Sequence, residues 1–399
     1  MTSTIQFPAT VIGLMSGTSA DGVDAALLRT DGRAVAEAGE SLFVPYADAL
    51  RADILALMRG VGDEAKVAKS ITDVHIQAVN VLIKKANVSR ETISLIGFHG
   101  QTIRHAPAEG VTVQIGEPAR MAAELGIPVV ADFRTNDVKH GGQGAPLVPL
   151  YHAALAHALP KPVMVVNIGG VSNATWIGEV QAESGACVAS HGEPERSERG
   201  GAVAGAERPP HEVLPNLIGF DIGPGNALID DWVFTHTGNR CDEDGKLAAR
   251  GVADNAIVRE FLRDPYFLRD APKSLDRLHF AASVRALMDG QGISLEDGAA
   301  TLTSMTAAAI GLSFGAVPAN PRQVLICGGG RRNPTLMGLL KACVNAPVAA
   351  VEEVGWDGDM LEAQAFAYLA ARSVQGLPLS LPTTTGVKEP VTGGVLFQP

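Results

Sequence analysis

Short apolar runs alternate with polar, glycine-rich breaks along this chain. Val11, Ile12 and Leu14 form one run, and Val23, Ala25, Ala26, Leu27 and Leu28 form the next. Between them lies Ser16-Gly17-Thr18-Ser19-Ala20-Asp21-Gly22, which is small, hydroxylated and turn-prone. The pattern predicts two strands joined by a long hairpin loop. Residues 46–90 space their apolar positions for buried helix faces, from Leu50 through Leu82. Ser94–Phe98, Val111–Ile115 and Pro128–Arg134 read as strands, and Pro118–Leu125 as a helix with proline at its start. The first of these strands exits into His99-Gly100-Gln101-Thr102, and the third into a polar, glycine-rich loop over Thr135–Pro146.

The opening design returns at Val163–Ile177, where apolar runs flank Ile168-Gly169-Gly170-Val171-Ser172-Asn173. Two such hairpins predict two similar domains, each offering a glycine loop to one ligand in the cleft between them. A buried strand follows at Leu217–Ile222, with Asp221 at its tip and Gly223-Pro224-Gly225-Asn226 behind it. Helices fill most of residues 245–316. Val324–Cys327 then runs as a strand into Gly328-Gly329-Gly330, and a helix starts near Pro334. A last helix covers Ala363–Ala370, with Glu362 in its first turns. Residues 179–216 hold few groups that can pack, and read as a flexible surface insertion without a chemical role.

The breaks suit a metal-bound polyphosphate. Gly17 and Gly22 let backbone N–H groups approach a ligand, Ser16, Thr18 and Ser19 add hydroxyls, and Asp21 and Asp24 could hold Mg²⁺ directly or through water. Asp221, on a rigid strand end beside glycines, has the placement of a general base. A glycine turn between strand and helix at Gly328–Gly330 lets a flat or anionic group lie on the backbone. Each feature also has a plainer reading: hydroxyls satisfying their own turn, an Asx-turn acid at Asp221, a carboxylate favoured by the helix dipole at Glu362.

Composition narrows the partners. The 399 residues carry a net charge of −11, which argues against a nucleic-acid or anionic-membrane surface. Cys187, Cys241, Cys327 and Cys343 are far apart, so a reduced, cytoplasmic chain fits better than a disulfide or zinc framework. The start lacks a cleavable apolar core, and no apolar run reaches the ~18 residues of a membrane span. The P-loop, the G-x-S-x-G elbow, H-E-x-x-H and the kinase H-R-D/D-F-G set are absent, so phosphate binding must rest on several glycine loops.

One ordered series of motifs covers nearly the whole chain: GLMSGTSADGVD at Gly13–Asp24, GFHGQT at Gly97–Thr102, QIGEP at Gln114–Pro118, ADFR at Ala131–Arg134 and GGQGAPLVP at Gly141–Pro149. NIGGVSN at Asn167–Asn173, FDIGPGN at Phe220–Asn226, CGGGRRN at Cys327–Asn333 and DGDMLEAQAFAYLA at Asp357–Ala370 complete it. By this series the chain resembles the anhydro-N-acetylmuramic acid kinases of the acetate and sugar kinase/Hsc70/actin superfamily. The resemblance implies an α/β chain of two similar actin/hexokinase-like (ribonuclease H-like) domains, with mixed sheets flanked by helices and an active-site cleft between them. The expected division is residues 1–140 and 160–399, with the helix near 362–374 able to pack back on the first domain. It implies opening of a 1,6-anhydro ring with water, coupled to phosphorylation of O6 by ATP and Mg²⁺, in cell-wall recycling. Gly17, Thr18, Ser19, Ala20, Asp21, Gly22, Val23 and Asp24 would hold ATP phosphates. Asn167, Gly169, Gly170, Gly223, Gly225, Asn226, Gly328, Gly329, Gly330 and Asn333 would complete the nucleotide site. Asp221 would activate the water, Arg134 and Glu362 would contact the amino sugar, and His99 and Gln101 would lie close by. A homodimer is implied as well.

Two departures stand out. The family's PKSTGRE reads Pro272-Lys273-Ser274-Leu275-Asp276-Arg277-Leu278 here, so no role is carried onto it, and residues 179–216 are longer than expected. Two other readings stay open on the residues alone. One is a kinase of an ordinary sugar hydroxyl, with Asp221 deprotonating the acceptor. The other is a nucleotide-gated binding protein of the same fold.

Overall fold

The computed structural model describes residues 5–179, 216–276 and 279–399. Nearly all of the predicted insertion, residues 180–215, lies outside the described residues. The first sheet begins with an antiparallel meander of β1 (Ala9–Ser16), β2 (Gly22–Thr30) and β3 (Val35–Pro45). β4 (Ile93–Ala106) runs parallel to β1, β5 (Val111–Ile115) pairs with the far part of β4, and β6 (Val129–Ala131) runs parallel to β4. In the second sheet β7 (Val163–Ile168), β8 (Val171–Ile177) and β9 (Leu217–Pro224) form another antiparallel meander. β10 (Gln323–Cys327) and β11 (Val348–Ala350) extend it in parallel on the β7 side. β12 (Val395–Phe397) returns to the first sheet, antiparallel to β6. The orders β6-β4-β1-β2-β3 and β11-β10-β7-β8-β9 are the same topology used twice, which bears out the expectation of two similar domains.

Alternation along β1 sends its side chains to two different cores. Ile12 and Leu14 join Ile54, Ile71, Val79 and Leu82, from the helices Asp48–Met58 and Glu64–Ala86. Val11 and Met15 face the helix Leu361–Val374, in a core that also takes Val163, Val165 and Leu325 from the second sheet. That helix is therefore packed between the sheets. It sits directly on two glycines that are paired across β1 and β4, Gly13 and Gly97. A Cβ on Gly13 would lie 1.8 Å from the Ala363 carbonyl, and one on Gly97 would lie 2.2 Å from that of Phe366. The opposite face of the second sheet, with Met164, Val166, Phe220 and Ile222, packs on Leu302, Met305 and Ile310 of the helix Leu295–Leu312.

Several local expectations change. β4 does not stop at Phe98 but continues to Ala106, so the His-Gly-Gln-Thr cluster lies inside a strand. The strand expected over Pro128–Arg134 shortens to Val129–Ala131, and Thr135–Lys139, expected in a loop, forms a helix. Among the described residues one stretch, Leu295–Ala316, is long and apolar enough to cross a membrane, with a mean hydropathy of 1.3. It supplies much of the second core, which accounts for its composition.

Candidate active site

The first hairpin tip is held from behind. The Gly17 carbonyl accepts from Ala20 N at 3.1 Å and from Gln101 Nε2 at 3.1 Å. The Ser19 carbonyl accepts from Arg51 Nη2 at 3.3 Å, and that of Asp21 from Tyr46 N at 2.9 Å. Thr18 and Ser19 are exposed, and among the described residues no hydrogen bond engages their amides, which suits an anion at the tip. Ala20 is buried in left-handed backbone (φ 52°), which gives the tip its sharp bend. Val23 is buried in β2, and its side chain does not reach the tip. Ser16 is not a free hydroxyl either, because it donates to Gln101 Oε1 at 2.6 Å and accepts from Tyr46 Oη at 3.0 Å.

The second tip is the two-residue turn Gly169-Gly170, and backbone braces it. Asn226 N donates to the Gly169 carbonyl at 2.7 Å, and Gly225 N to that of Gly170 at 2.9 Å. A Cβ on Gly225 would lie 2.2 Å from the Gly169 carbonyl oxygen. Asn226 precedes the helix Ala227–Thr237 but turns its amide to the Ile168 carbonyl at 3.2 Å. The glycine turn after β10 joins the same cluster. A Cβ on Gly328 would meet Asn167 Oδ1 at 2.3 Å, and one on Gly329 would meet Asn226 Nδ2 at 3.5 Å. The structure thus brings Asn167, Gly169, Gly170, Gly225, Asn226, Gly328 and Gly329 together. Gly223 lies one strand position behind them, opposite Ser172. Gly330 is buried against Ile168. Asn333 is otherwise engaged: its Oδ1 caps the helix Pro334–Cys343, accepting from Leu336 N at 3.0 Å.

Asp221 is buried near the end of β9. Its Oδ2 accepts from Leu275 N at 2.8 Å, and its carbonyl accepts from Tyr266 Oη at 2.8 Å. Among the described residues its Oδ1 carries no hydrogen bond, which leaves that oxygen for a ligand. Burial pushes the carboxyl up to about 7, against smaller downward pulls from the Leu275 N–H and the Arg134 charge. The brace from Leu275 comes from the departing Pro272–Leu278 segment, where side-chain identities gave no role. A backbone donor leaves no trace in residue type. Ser274, in the same segment, donates to Gln143 Oε1 at 2.7 Å.

Arg134 lies within electrostatic reach of the two candidate acids, Asp221 and Glu362. Its Nε donates to His99 Nε2 at 3.0 Å and its Nη1 to the Gly144 carbonyl at 2.7 Å. His99 Nδ1 lies 2.9 Å from the Gly100 carbonyl and must carry the proton, so Nε2 is the acceptor. Burial and the Arg134 charge hold that ring neutral, well below its ordinary range. Arg134 also feels the charges of Glu362, Asp137 and Asp221. Asp137, a residue the sequence did not single out, fixes the loop behind Arg134 by accepting from Gly144 N and Thr385 Oγ1, each at 2.5 Å. Glu362 Oε1 accepts from Asn167 Nδ2 at 3.2 Å, and both line a cavity of about 60 Å³ with Gly328 and Asp359. Burial raises the Glu362 carboxyl and Arg134 pulls it back.

A divalent cation fits the first hairpin. Asp24 is raised to about 8, by burial first and then by the charges of Glu362, Asp21, Asp359 and Asp357. A cation would relieve that crowding. Among the described residues no group of three or more His, Cys, Asp or Glu could hold a metal alone. Two carboxylates plus ligand phosphates and water suit Mg²⁺, which keeps much of its hydration. Asp21 is exposed and accepts from Ser19 Oγ at 3.0 Å.

Two sheets of one topology each carry a tight hairpin, and the buried Glu362 accepts from Asn167 of the second and adds its charge to Asp24 of the first, an arrangement compatible with a phosphotransferase. The sequence profile of anhydro-N-acetylmuramic acid kinase matches residues 9–185 and 209–399, and the chain belongs to that family. The anhydro-N-acetylmuramic acid kinase of Paramagnetospirillum magneticum is 47% identical over 383 residues, covering 96% of this chain and 98% of its own. That of Rhodospirillum rubrum is 46% identical over 392 residues, with 97% and 93% covered. Among solved structures, component A of the (R)-2-hydroxyglutaryl-CoA dehydratase of Acidaminococcus fermentans aligns at 12% identity with a TM-score of 0.45, covering 92% of this chain and 99% of its own.

Proposed function

We infer that this chain uses ATP and water to open the 1,6-anhydro ring of anhydro-N-acetylmuramic acid and phosphorylate O6. The products are N-acetylmuramic acid 6-phosphate and ADP, a step of cell-wall recycling. The observation that carries the chemistry is Asp221, with one carboxylate oxygen fixed by backbone and the other without a hydrogen bond among the described residues, at a proton affinity near neutrality. Its Oδ1 takes a proton from water as the water oxygen bonds to the anomeric carbon. The bond from that carbon to O6 breaks, with inversion. The released O6 attacks the γ-phosphorus, the bridge to the β-phosphate breaks, and ADP departs. Arg134, oriented by neutral His99, contacts the sugar together with Glu362. The amides of the Gly17–Asp21 tip and of the Gly169-Gly170 turn hold the phosphates, and Gly328 and Gly329 border the adenosine. Mg²⁺ held by Asp21 and Asp24, directly or through water, would offset charge on the transferring phosphoryl group.

The same proposal divides the lobes between residues 140 and 160, and includes a homodimer acting in the cytoplasm. Light scattering of the purified chain tests the dimer, and a monomer mass would remove it. The reaction is tested by ADP release with anhydro-N-acetylmuramic acid, beside N-acetylmuramic acid and glucosamine. Release with the anhydro-sugar alone is expected. Release with an ordinary sugar would make Asp221 a base for an acceptor hydroxyl, and no sugar-dependent release would point to a nucleotide-gated binding protein.

A further inference from the structure

Gln101 stands in the strand that delivers His99 to the sugar side of the cleft, yet its amide points elsewhere. The β1–β4 register explains this. Leu14 pairs with Phe98 but Ser16 pairs with Gln101, so β4 carries one extra residue at His99-Gly100. Gly100 takes φ +73°, and a Cβ there would meet the Ile115 carbonyl at 2.7 Å. The extra residue is a bulge, a device that re-aims the side chain after it. Gln101 is fully buried and all of its hydrogen bonds are internal. Oε1 accepts from Ser16 Oγ, while Nε2 donates to the Gly17 carbonyl at 3.1 Å and to the Thr102 carbonyl at 3.3 Å. Tyr46 Oη completes the chain by donating to Ser16.

We propose that Gln101 is a positioning residue for phosphoryl transfer: from the bulge in β4 it grips Ser16 and the Gly17 carbonyl, and so holds the amides of the first hairpin toward the ATP phosphates. This rests on the phosphate role given to that hairpin. Ser16 and Gly17 are the two residues through which the chain enters the tip. Turning the Gly17 carbonyl back fixes the peptide plane that it shares with Thr18 N–H, since the two groups point in opposite directions across a trans peptide. Ser16 and Tyr46 act only through Gln101 and the strand end.

The test is steady-state kinetics with ATP and the anhydro-sugar varied separately, together with calorimetric affinity for a non-hydrolysable ATP analogue. Gln101→Ala is expected to lower kcat/KM for ATP by about 10²-fold, the scale of losing alignment in a preorganised site, with the sugar KM within about twofold. Tyr46→Phe should move the same parameter less, by about threefold, the order of one neutral hydrogen bond. Gln101→Glu supplies a readout that lost packing would not. Its second oxygen would face the Gly17 and Thr102 carbonyls and must carry a proton to bind them. Its deficit relative to the parent should therefore shrink as the pH falls and the side chain protonates. A Gln101→Ala variant with raised sugar KM and unchanged ATP parameters would overturn the proposal in favour of direct sugar contact. Parent-like kinetics, or a pH-independent Gln101→Glu deficit, would overturn it too. If Gln101→Ala does not fold, the pH series and Tyr46→Phe decide. If the parent shows no anhydro-sugar-dependent turnover, the functional reading fails instead, and the analogue affinities still judge Gln101.

Discussion

The two hairpins occupy equivalent places in two sheets of one topology, yet they are braced by different means. The first tip, Gly17–Asp21, is held mainly by side chains and strand ends brought from elsewhere: Gln101 of β4, Arg51 of a helix and the Tyr46 backbone. The second, Gly169-Gly170, is held by backbone N–H groups at the start of one helix. Both lie beside a bulge. In the second sheet the extra residue is Ile222, between Asp221 opposite Asn173 and Gly223 opposite Ser172. Repetition has preserved the scaffold while the bracing chemistry and the bulged strand diverged: the bulge is in β4, parallel to β1, in the first sheet and in β9, antiparallel to β8, in the second. A tip braced by side chains can be tuned one residue at a time. A tip braced by backbone yields only where a Cβ is forced in.

The sharpest way to break the comparison is at the acid that only the second lobe carries. Asp221→Asn keeps an acceptor for the Leu275 N–H but cannot take a proton, and kcat should fall by about 10³-fold or more, with ATP affinity nearly unchanged. Rapid-quench and calorimetric measurements on the same preparation separate the two. In the parent, kcat should decline as the pH falls below about 7, where Asp221 protonates.

Next in size is Gly225→Ala. The added carbon falls 2.2 Å from the Gly169 carbonyl, so the second turn must shift. A loss of about 10-fold to 10²-fold in ATP affinity is expected, with a lowered melting temperature. Ser19→Ala, in the first tip, removes one exposed bond to Asp21 and should cost less than about fivefold in kcat/KM for ATP. Equal effects of these two substitutions would remove the contrast between the lobes.

The last effect is on stability rather than turnover, and its sign is opposite to that on activity. Asp24 is raised from 3.8 to about 8 in the folded chain. The folded state therefore binds this proton more tightly than the unfolded state. The stabilisation is complete below the unfolded value and is lost as the pH rises through about 8. Asp24→Asn removes that loss. Without Mg²⁺ its melting temperature should gain on the parent's steadily from pH 5 to pH 8, while turnover falls. A pH-independent difference would show that the crowded charges are not felt.

Much of this was legible in the chain. The two hairpins, the helix Pro118–Leu125 and the strand leading to Asp221 follow from apolar runs broken by turn residues. Gln101 shows where legibility stops. The family resemblance placed it close to the sugar, but its hydrogen bonds to Ser16 and the Gly17 carbonyl depend on a bulge, whose residue count cannot be read from residue types. The polar alternation after Phe98 hid the continuation of β4 for the same reason: a strand edge and a loop look alike when half the side chains are polar. The Leu275 backbone donor and the Asp137 brace depend on segments that meet only after folding.

The seat of the helix Leu361–Val374 on Gly13 and Gly97 bears on the order in which the protein can mature during synthesis. β1 and β4 leave the ribosome early, but the helix that covers them and the β12 strand that borders β6 come last. The second lobe, begun later, has its own sheet and one face of its core finished first. Until the last segment arrives, the early sheet must wait with an apolar face uncovered, and nascent chains stalled before residue 361 should be the species that chaperones hold.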